Sequence, residues 1–594
     1  MKWLLTSCPE PMNQSTDDIP AEIKSFLGKE YHLLILAALI GVLAGAASTV
    51  FRWMIDISTQ IFSGEGLLLG LSAGLVMMLM PLMPMLGGLI IGLARRYFPE
   101  AVAENGIDRV LESVVLKNGK IRKRVLTVCA LTSSITIGSG GSAGRVGPTV
   151  QICSVIGSMF GQMMKLSSER IRIMVGCGAA AGIAATFNAP LAGMIFVMEI
   201  ILGEFTIYSL SPIIIASVMG TVTGHALEGD QLTFLTPVHE VVNPSEIFFY
   251  LLLGILCGIT AYLFTQCYYR SQKFFDEQVN ISVIFKPALG GLIVGLLALL
   301  TPQIRGNGFP EMEQVLNGNL FWGMALALIF TKIIATAVTL GSGGIGGTFA
   351  PSLFIGAMVG ATFGAGVHGI LPDWTASSET YALVGMAALA SAVMQAPLTS
   401  ILILFEMTKD YTIVLPSMIC CIVATYTMRR FTKNSIYVQS LLNRGINIRQ
   451  GKAISILSTM FVRDVMTEEV TTIPEEMPFK NILEIVSYSR HLCYPVVNQE
   501  EDMVGIISFT DIRDAAQKEG MGKAVFARDL ATADVVTLKP NHNLNEALDK
   551  FLDLDVEQMP VVSVGDPKKV IGLLLRSDVK AVYNREILVS EMKQ

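Results

Sequence analysis

Apolar runs of two lengths alternate along the first three quarters of the chain. Residues 33–51 and 67–93 are long enough to cross a bilayer as helices, which takes roughly 20 apolar residues. Other runs are short and are bounded by glycine, proline or charge, at 125–137, 150–160 and 401–405. Irregular backbone at membrane depth is tolerated only where protein or a water-filled cavity satisfies its polar groups. The pattern therefore predicts an all-α polytopic membrane part in which some helices end beside a polar pathway.

The last quarter of the chain has the composition of a soluble domain. Of the 594 residues, 52% are hydrophobic and 15% are charged, whereas a soluble protein carries about a quarter charged residues. We therefore predict a cytoplasmic segment at 1–30, a membrane domain at 31–445 and a soluble cytoplasmic region at 446–594. Basic clusters that mark cytoplasmic sides flank the apolar runs at 95–96, 117–124 and 429–430.

The membrane part repeats itself. The stretch GSGGSAGRVGP at 138–148 aligns without gaps on GSGGIGGTFAP at 341–351, which lies 203 residues later. FNAPLAGMIFVMEI at 187–200 matches MQAPLTSILILFEM at 394–407, and the NG of 105–106 matches that of 307–308. Paired, glycine-interrupted segments in the same order predict a transport fold of two inverted halves, about 31–228 and 246–445, with the site at their interface.

The soluble region carries a second, smaller repeat. Residues 494–512 resemble residues 559–579, and each copy reads as strand, helix, strand, strand and helix. In the first copy we predict these elements at 470–473, 479–486, 494–497, 504–508 and from 511 onwards. Two α/β domains are therefore expected, at about 460–518 and 525–585.

The glycine-rich loops are the candidate chemistry. Glycine lets backbone N–H groups approach a ligand, and a helix that begins just after the loop offers unpaired donors with a partial positive charge. Pro148 and Pro351 fit the first turn of such helices. Dehydrating a small ion costs tens of kcal/mol, whereas one charge-assisted hydrogen bond returns about 1.5–3. Several weak donors therefore suit a permeating anion better than one buried charge. Arg145 either attracts anions near the entrance or holds the loop through its carbonyls.

Other chemistries find no support in the sequence. GSGGIG at 341–346 satisfies the dinucleotide fingerprint but lacks the preceding strand and the soluble βαβ unit that the fingerprint requires. The nine cysteines are scattered in apolar runs and are expected to be small buried residues, and the six histidines are dispersed. We predict no enzyme, no metal site, no required cofactor and no nucleic-acid partner.

Four stretches resemble the CLC family of chloride channels and transporters. GRVGPTVQ at 144–151 resembles its Gly-Lys/Arg-Glu-Gly-Pro motif, and GGTFAPSLFIG at 346–356 resembles its Gly-x-Phe-x-Pro filter motif. The stretch at 187–200 is similar to the one after its central helices, and NSIYVQSLL at 434–442 to its last membrane helix. The tail resembles a pair of CBS domains. The resemblance implies a homodimer in the lipid of a plasma membrane, such as the bacterial inner membrane, with one anion pathway per subunit.

The resemblance also implies site residues. The family's pore tyrosine falls on Tyr437, and its pore serine falls on Asn105, followed by Gly106. Backbone donors to chloride fall on Arg145, Val146 and Gly147 in one half and on Thr348, Phe349 and Ala350 in the other. Asn105 either donates to the anion through its amide or caps the helix that starts at Ile107, which leaves nitrate or another anion open as the substrate. The neighbouring acids Glu104 and Asp108 are expected to disfavour anion entry.

Two departures from the family decide the predicted mechanism. Val146 stands where the family usually has a gating glutamate, and Ile200 where proton-exchanging members have an inner glutamate. Valine and isoleucine carry no proton, so the prediction is a passive chloride channel. The alternatives are a proton-coupled chloride exchanger with another acid, and a transport-dead sensor in which Val146 reflects drift and the CBS pair binds an adenine nucleotide.

The CBS copies differ at their candidate nucleotide positions. Family members that bind adenine nucleotides tend to carry Ser/Thr-x-x-Asp after the last strand, which fits Ser508 and Asp511 in the first copy. The second copy has Asp578 but Leu575 in place of the hydroxyl. The alternative is a structural pair without a ligand.

Overall fold

The computed structural model divides the chain into two compact units, Met1–Gly445 and Ile446–Gln594. In the first unit it describes residues 21–62, 79–99, 106–229 and 244–445, with side chains from residue 31, and residue 446 of the second unit follows directly. In the second it describes residues 457, 460–489, 492–517, 525–533, 535–554 and 556–582.

Seventeen helices make up the described part of the first unit. They are α1 (Ala21–Phe62), α2 (Leu82–Tyr97), α3 (Ile107–Leu116), α4 (Arg124–Gly138), α5 (Val146–Met163), α6 (Ser168–Phe187), α7 (Pro190–Phe196), α8 (Ile207–Glu228), α9 (Ile247–Lys273), α10 (Phe285–Leu300), α11 (Phe309–Leu316), α12 (Trp322–Gly341), α13 (Phe349–Ile370), α14 (Ser378–Met394), α15 (Pro397–Thr408), α16 (Val414–Phe431) and α17 (Ile436–Asn443). Single π-helical turns continue α7 and α9, at Val197–Leu202 and Phe274–Gln278.

Six of the described helices are long and apolar enough to cross a membrane, and α4, α10, α14 and α15 are shorter apolar helices. The chain is therefore a multi-pass membrane protein. Each short run lies inside a helix, and α5 and α13 begin at Val146 and Phe349, within three residues of the prolines that predicted their starts. The long run at 67–93 is helical from Leu82, and its earlier part lies outside the described residues.

The two halves of the membrane unit contact each other through equivalent residues. Glu199, in the π-helical turn after α7, accepts hydrogen bonds from the backbone N–H groups of Leu398 and Thr399 at the start of α15, at 3.3 and 2.8 Å. Glu406, near the end of α15, accepts the same bonds from Leu191 and Ala192 at the start of α7, at 3.0 and 2.7 Å. Each carboxylate thus caps a helix of the other half. Two repeats related by a pseudo-two-fold axis make reciprocal contacts of this kind.

Removing one of these caps should destabilise the fold. Glu199→Ala leaves two N–H groups and the Thr399 hydroxyl without their acceptor in an apolar surrounding. We expect a loss of about 2–4 kcal/mol, seen as a lower melting temperature in detergent. Glu204→Ala, at an exposed position five residues later, is the matched control and should change stability by less than about 0.5 kcal/mol. Equal melting temperatures for the two variants would contradict the capping role.

The second unit contains two small α/β layers. The first has a sheet of β1 (Ile473–Pro474), β2 (Cys493–Val497) and β3 (Met503–Ser508), packed with α18 (Phe479–Tyr488) and α19 (Phe509–Gln517). The second follows α20 (Ala527–Leu530) and combines α21 (Leu544–Leu554) with β4 (Gln558–Val562) and β5 (Val570–Leu575). The two hairpins share their register, since Tyr494 pairs with Ile507 and Met559 with Leu574.

The predicted elements of the first copy are confirmed except for the first strand. It was expected at 470–473, but only Ile473 and Pro474 pair with β2. The other elements agree within three residues. The side chain of Gln558 joins the copies, because its Oε1 accepts the N–H groups of Leu492 and Cys493 at 3.0 Å. The eight described cysteines are free, and seven of them are buried, as their apolar surroundings predicted.

Candidate functional site: two filter loops between two cavities

The two glycine-rich loops meet backbone to backbone at the centre of the membrane unit. The N–H of Gly144 donates to the carbonyl of Gly347 at 2.8 Å, and the N–H of Gly347 donates to the carbonyl of Gly144 at 2.7 Å. An added Cβ at Gly347 would lie 2.8 Å from the amide nitrogen of Gly147, so only glycine fits this approach. The pair holds the starts of α5 and α13 side by side, although the two glycines are far apart in the sequence.

Threonine hydroxyls of the neighbouring helices fix both loops. The hydroxyl of Thr339 on α12 accepts the N–H of Ser142 at 3.1 Å, and that of Thr136 on α4 accepts the N–H of Ile345 at 3.1 Å. Ser142 also bonds to the Thr336 hydroxyl at 2.9 Å. Each loop is therefore anchored to a helix of the other half, which makes the central geometry rigid.

A cavity of about 810 Å³ lies on one side of the loops, and we call it the large vestibule. The ends of α1, α4, α6 and α8 and the loop before α11 line it. We call the glycine-rich loops at 138–148 and 341–351 the first and second filter loops. Arg145 reaches the large vestibule from the first filter loop, with its guanidinium 5.1 Å from the centre of the Phe309 ring. Three arginines and four carboxylates line the large vestibule: Arg52, Arg145, Arg305, Asp56, Glu228, Glu311 and Glu313.

A cavity of about 160 Å³ lies on the other side, and we call it the small vestibule. The starts of α3, α5 and α17 line it, together with the second filter loop as far as Thr348. Tyr437 is 7% exposed, and its hydroxyl has no hydrogen-bond partner among the described residues. Gly147 and Gly106 also line this cavity. The first N–H groups of an α-helix have no acceptor within the helix. The starts of α5 and α13 therefore offer such donors beside the small vestibule.

Val146 lies between the two cavities. Arg145 lines the large vestibule and Gly147 the small one, whereas the side chain of Val146 is 1% exposed. It belongs to the same apolar cluster as Phe187 and Phe349, whose rings meet edge to face with centres 5.7 Å apart. Its two chain neighbours thus face different cavities, and the valine itself is enclosed by apolar side chains.

Comparisons with known proteins agree with this arrangement. The family model described as voltage gated chloride channel matches residues 86–429, and the CBS domain model matches residues 462–518 and 527–585. The chain belongs to the CLC family. It is 33% identical over 429 residues to the ClcB-like chloride channel protein of Ralstonia nicotianae, a match that covers 71% of this chain and 100% of the relative. It is 32% identical over 426 residues to the H⁺/Cl⁻ exchange transporter ClcA of Vibrio parahaemolyticus, with 69% and 89% covered.

Solved structures show the same fold. A slow cyanobacterial Cl⁻/H⁺ antiporter superposes with a TM-score of 0.64 at 27% identity over 70% of this chain and 97% of that one. A eukaryotic CLC transporter superposes with a TM-score of 0.62 at 19% identity over 92% of this chain and 97% of that one. The CLC fold with a CBS pair, predicted from the four motifs, is confirmed.

The charge beside the small vestibule of this CLC protein differs from the expectation. Asp108 was expected to disfavour anions, but its Oδ2 accepts a hydrogen bond from the Ser440 hydroxyl at 2.9 Å and lies 3.1 Å from the Arg444 guanidinium. Arg95 adds a second cation to the lining. The charge of Asp108 is therefore paired, and the described lining contains two arginines and one carboxylate, because the residue after α17 brings a cation to the start of α3.

Gln151 is a site residue that sequence reasoning missed. It is 1% exposed on α5, and its Oε1 accepts the N–H of Gly106 at 2.7 Å. It thereby occupies one of the donors expected to face the anion and holds the start of α3 against α5. A polar residue in the first turns of an otherwise apolar helix is the signal that points to it.

The remaining predicted residues fall into three groups. Asn105 and Glu104 lie outside the described residues, and Gly106 occupies the cap position of α3. Ile200 is half-buried in the π-helical turn after α7. In the CBS pair, Asp511 Oδ2 accepts both the N–H and the hydroxyl of Ser508, at 2.8 and 2.6 Å, whereas Asp578 Oδ1 accepts a long hydrogen bond from the neighbouring Ser577 hydroxyl, at 3.5 Å.

Proposed function

We propose that this CLC protein is a passive chloride channel that is not coupled to protons. The observation that carries the proposal is Val146, which lies at the helix start between the two vestibules where the family usually has a gating glutamate. Valine neither occupies an anion site nor carries a proton. The filter glycines and prolines around it remain, together with the Tyr437 hydroxyl, so an anion still meets backbone and hydroxyl donors.

The second acid of the exchanging family members is also missing. Ile200 stands at its position, and the neighbouring Glu199 is engaged in capping α15 through three hydrogen bonds. A carboxylate held by three donors serves the fold, and releasing it to move protons would leave those donors unsatisfied. Both ends of the family's proton route are therefore without a free acid.

Proton-coupled exchange is the second candidate function. It is favoured by the names of the relatives, which include H⁺/Cl⁻ exchange transporters and a Cl⁻/H⁺ antiporter. Under this alternative, another acid replaces the missing glutamates. Among the described residues, Asp108 is the acid that lines the small vestibule, and it is already engaged with Arg444 and Ser440.

Paired chloride and proton recordings separate the two functions. Purified protein is reconstituted into chloride-loaded liposomes, and efflux is started with a potassium ionophore while both ions are followed. We expect chloride efflux in which protons do not move uphill, with protein-free liposomes as the control. Sustained uphill proton movement would establish the exchanger instead. Complete absence of efflux would favour the transport-dead sensor.

We also propose a sidedness for the pathway, based on the end of the membrane unit. Arg444 lines the small vestibule, and the chain continues from Gly445 towards the CBS pair. We therefore assign the small vestibule to the cytoplasmic side and the large vestibule to the outer side of a plasma membrane. Two subunits, each with its own pathway, form the proposed homodimer in the lipid bilayer.

An adenine nucleotide is the proposed ligand of the CBS pair, and the transport pathway itself requires no cofactor. The first copy is the better candidate, because it places Ser508 and Asp511 together after β3. Their mutual hydrogen bonds also fit a helix cap, so a structural pair remains the alternative. Calorimetry with ATP on the full-length protein and on Asp511→Ala distinguishes the two.

A further inference from the structure

Lys332 is a buried cation that the transport motifs do not include. It lies on α12 with 0% of its surface exposed. Its Nζ donates to the carbonyls of Ile304 and Gly306, at 2.9 and 3.1 Å, and lies 4.7 Å from the centre of the Phe354 ring. Among the described residues, no carboxylate lies within salt-bridge distance of it. An ionisable group inside a membrane domain is expensive to bury and usually marks a functional site.

The lysine lies directly behind the wall of the large vestibule. Gly306 lines the large vestibule, and its carbonyl is one of the two that accept hydrogen bonds from Lys332. Gly308 also lines the large vestibule, and a Cβ added to it would lie 3.3 Å from the Nζ of Lys332. One turn further along α12, Thr336 holds the first filter loop through Ser142. The charge is therefore placed between the vestibule and the filter.

The equivalent position in the other half carries no charge. Cys129 precedes Lys332 by the same 203 residues that separate the two filter motifs, and it lies on α4 beside the small vestibule. Its Sγ contacts Gln151, just as Lys332 contacts Phe354, which is the repeat equivalent of Gln151. The two repeats thus place equivalent side chains behind the two vestibules. At this position the small vestibule has the neutral Cys129, and the large vestibule has Lys332.

The described lining of the large vestibule does not by itself favour an anion. It contains four carboxylates and three arginines, so its formal charge is negative. The small vestibule achieves a net positive lining with Arg95 and Arg444. A buried ammonium acts through a low dielectric, where it is screened less than the exposed charges. Glu311 of the vestibule lining interacts with it electrostatically but forms no salt bridge with it.

We infer that Lys332 supplies the positive charge that sets the affinity of the large vestibule for entering anions. This inference rests on the proposed anion transport. At an effective dielectric of about 20, the attraction between unit charges on the order of 10 Å apart corresponds to about a tenfold change in anion occupancy.

The test titrates chloride separately on the two sides of membranes in which a C-terminal tag orients the protein. Lys332→Met and Lys332→Gln should each raise the half-saturating chloride concentration on the large-vestibule side by about tenfold and leave the CBS side unchanged. Lys332→Arg should remain within about twofold of wild type. Cys129→Ser, at the equivalent position, is the control and should leave the large-vestibule side unchanged.

The glutamine variant separates charge from structure. Glutamine can still donate a hydrogen bond to a carbonyl but carries no charge. If Lys332 only holds the structure together, glutamine should largely preserve the chloride affinity. If Lys332 acts through its charge, glutamine should not. Wild-type affinity in Lys332→Gln, or equal shifts on both sides, would overturn the inference. If Lys332→Met does not fold, as judged by its elution and melting temperature, the glutamine and arginine variants decide. Absence of wild-type flux would refute the proposed function instead.

Discussion

Val146→Glu should slow chloride flux at neutral pH by at least about tenfold and make it dependent on pH. A carboxylate introduced at the start of α5 faces backbone N–H donors, which stabilise its charged form, and in that form it competes with the permeating anion. Protonation removes the charge and frees the donors. Flux through the variant should therefore rise as pH falls, whereas wild-type flux should remain flat over the same range.

Val146→Gln is the matched control, because glutamine has nearly the shape of glutamate and does not titrate. It should slow flux through its size alone, with no dependence on pH. The glutamate variant should not pump protons, since Ile200 still leaves the other end of the family's proton route without an acid. Flux through Val146→Glu that is independent of pH, or identical to that of the glutamine variant, would show that residue 146 does not face the pathway.

Gly347→Ala should abolish most of the chloride flux by separating the two filter loops. The added Cβ would lie 2.8 Å from the Gly147 nitrogen and 3.3 Å from the Gly144 oxygen, and these are backbone atoms that a rotamer change does not relieve. The two reciprocal hydrogen bonds between Gly144 and Gly347 must lengthen or break. We expect more than about a tenfold loss of flux together with a lower melting temperature, because both bonds are buried.

Gly366→Ala is the control for this substitution. It lies on α13, the helix that the second filter loop precedes, and an added Cβ there meets no atom within 4 Å. Alanine also favours a helix over glycine, so flux should be unchanged and the melting temperature equal or slightly higher. Normal flux in Gly347→Ala would mean that the close contact of the loops is dispensable for the pathway.

Much of the architecture is readable from local patterns. Apolar runs, glycines and prolines indicate where α5 and α13 begin, because helix starts depend on residues within a few positions of each other. The shared order of three repeated blocks predicts two related halves. The valine at 146 and the tyrosine at 437 are likewise visible as departures from, or matches to, a motif. Even the boundaries of the CBS elements follow from alternation, apart from the first strand, which forms only where β2 offers a partner.

The sequence by itself therefore determined the fold family and the repeat, and it predicted the residues of the filter. Only the tertiary structure decided which polar and charged groups are held in hydrogen bonds or ion pairs within the protein. It pairs Asp108 with Arg444, assigns Glu199 and Glu406 to capping opposite halves, gives the Gly106 donor to Gln151 and places Lys332 behind the large vestibule. Each of these contacts joins segments that are distant in sequence, and their distances are set by how helices pack across the pseudo-two-fold axis. Local propensity carries no information about such packing, so the electrostatic balance of the pathway emerges only when the two halves are assembled.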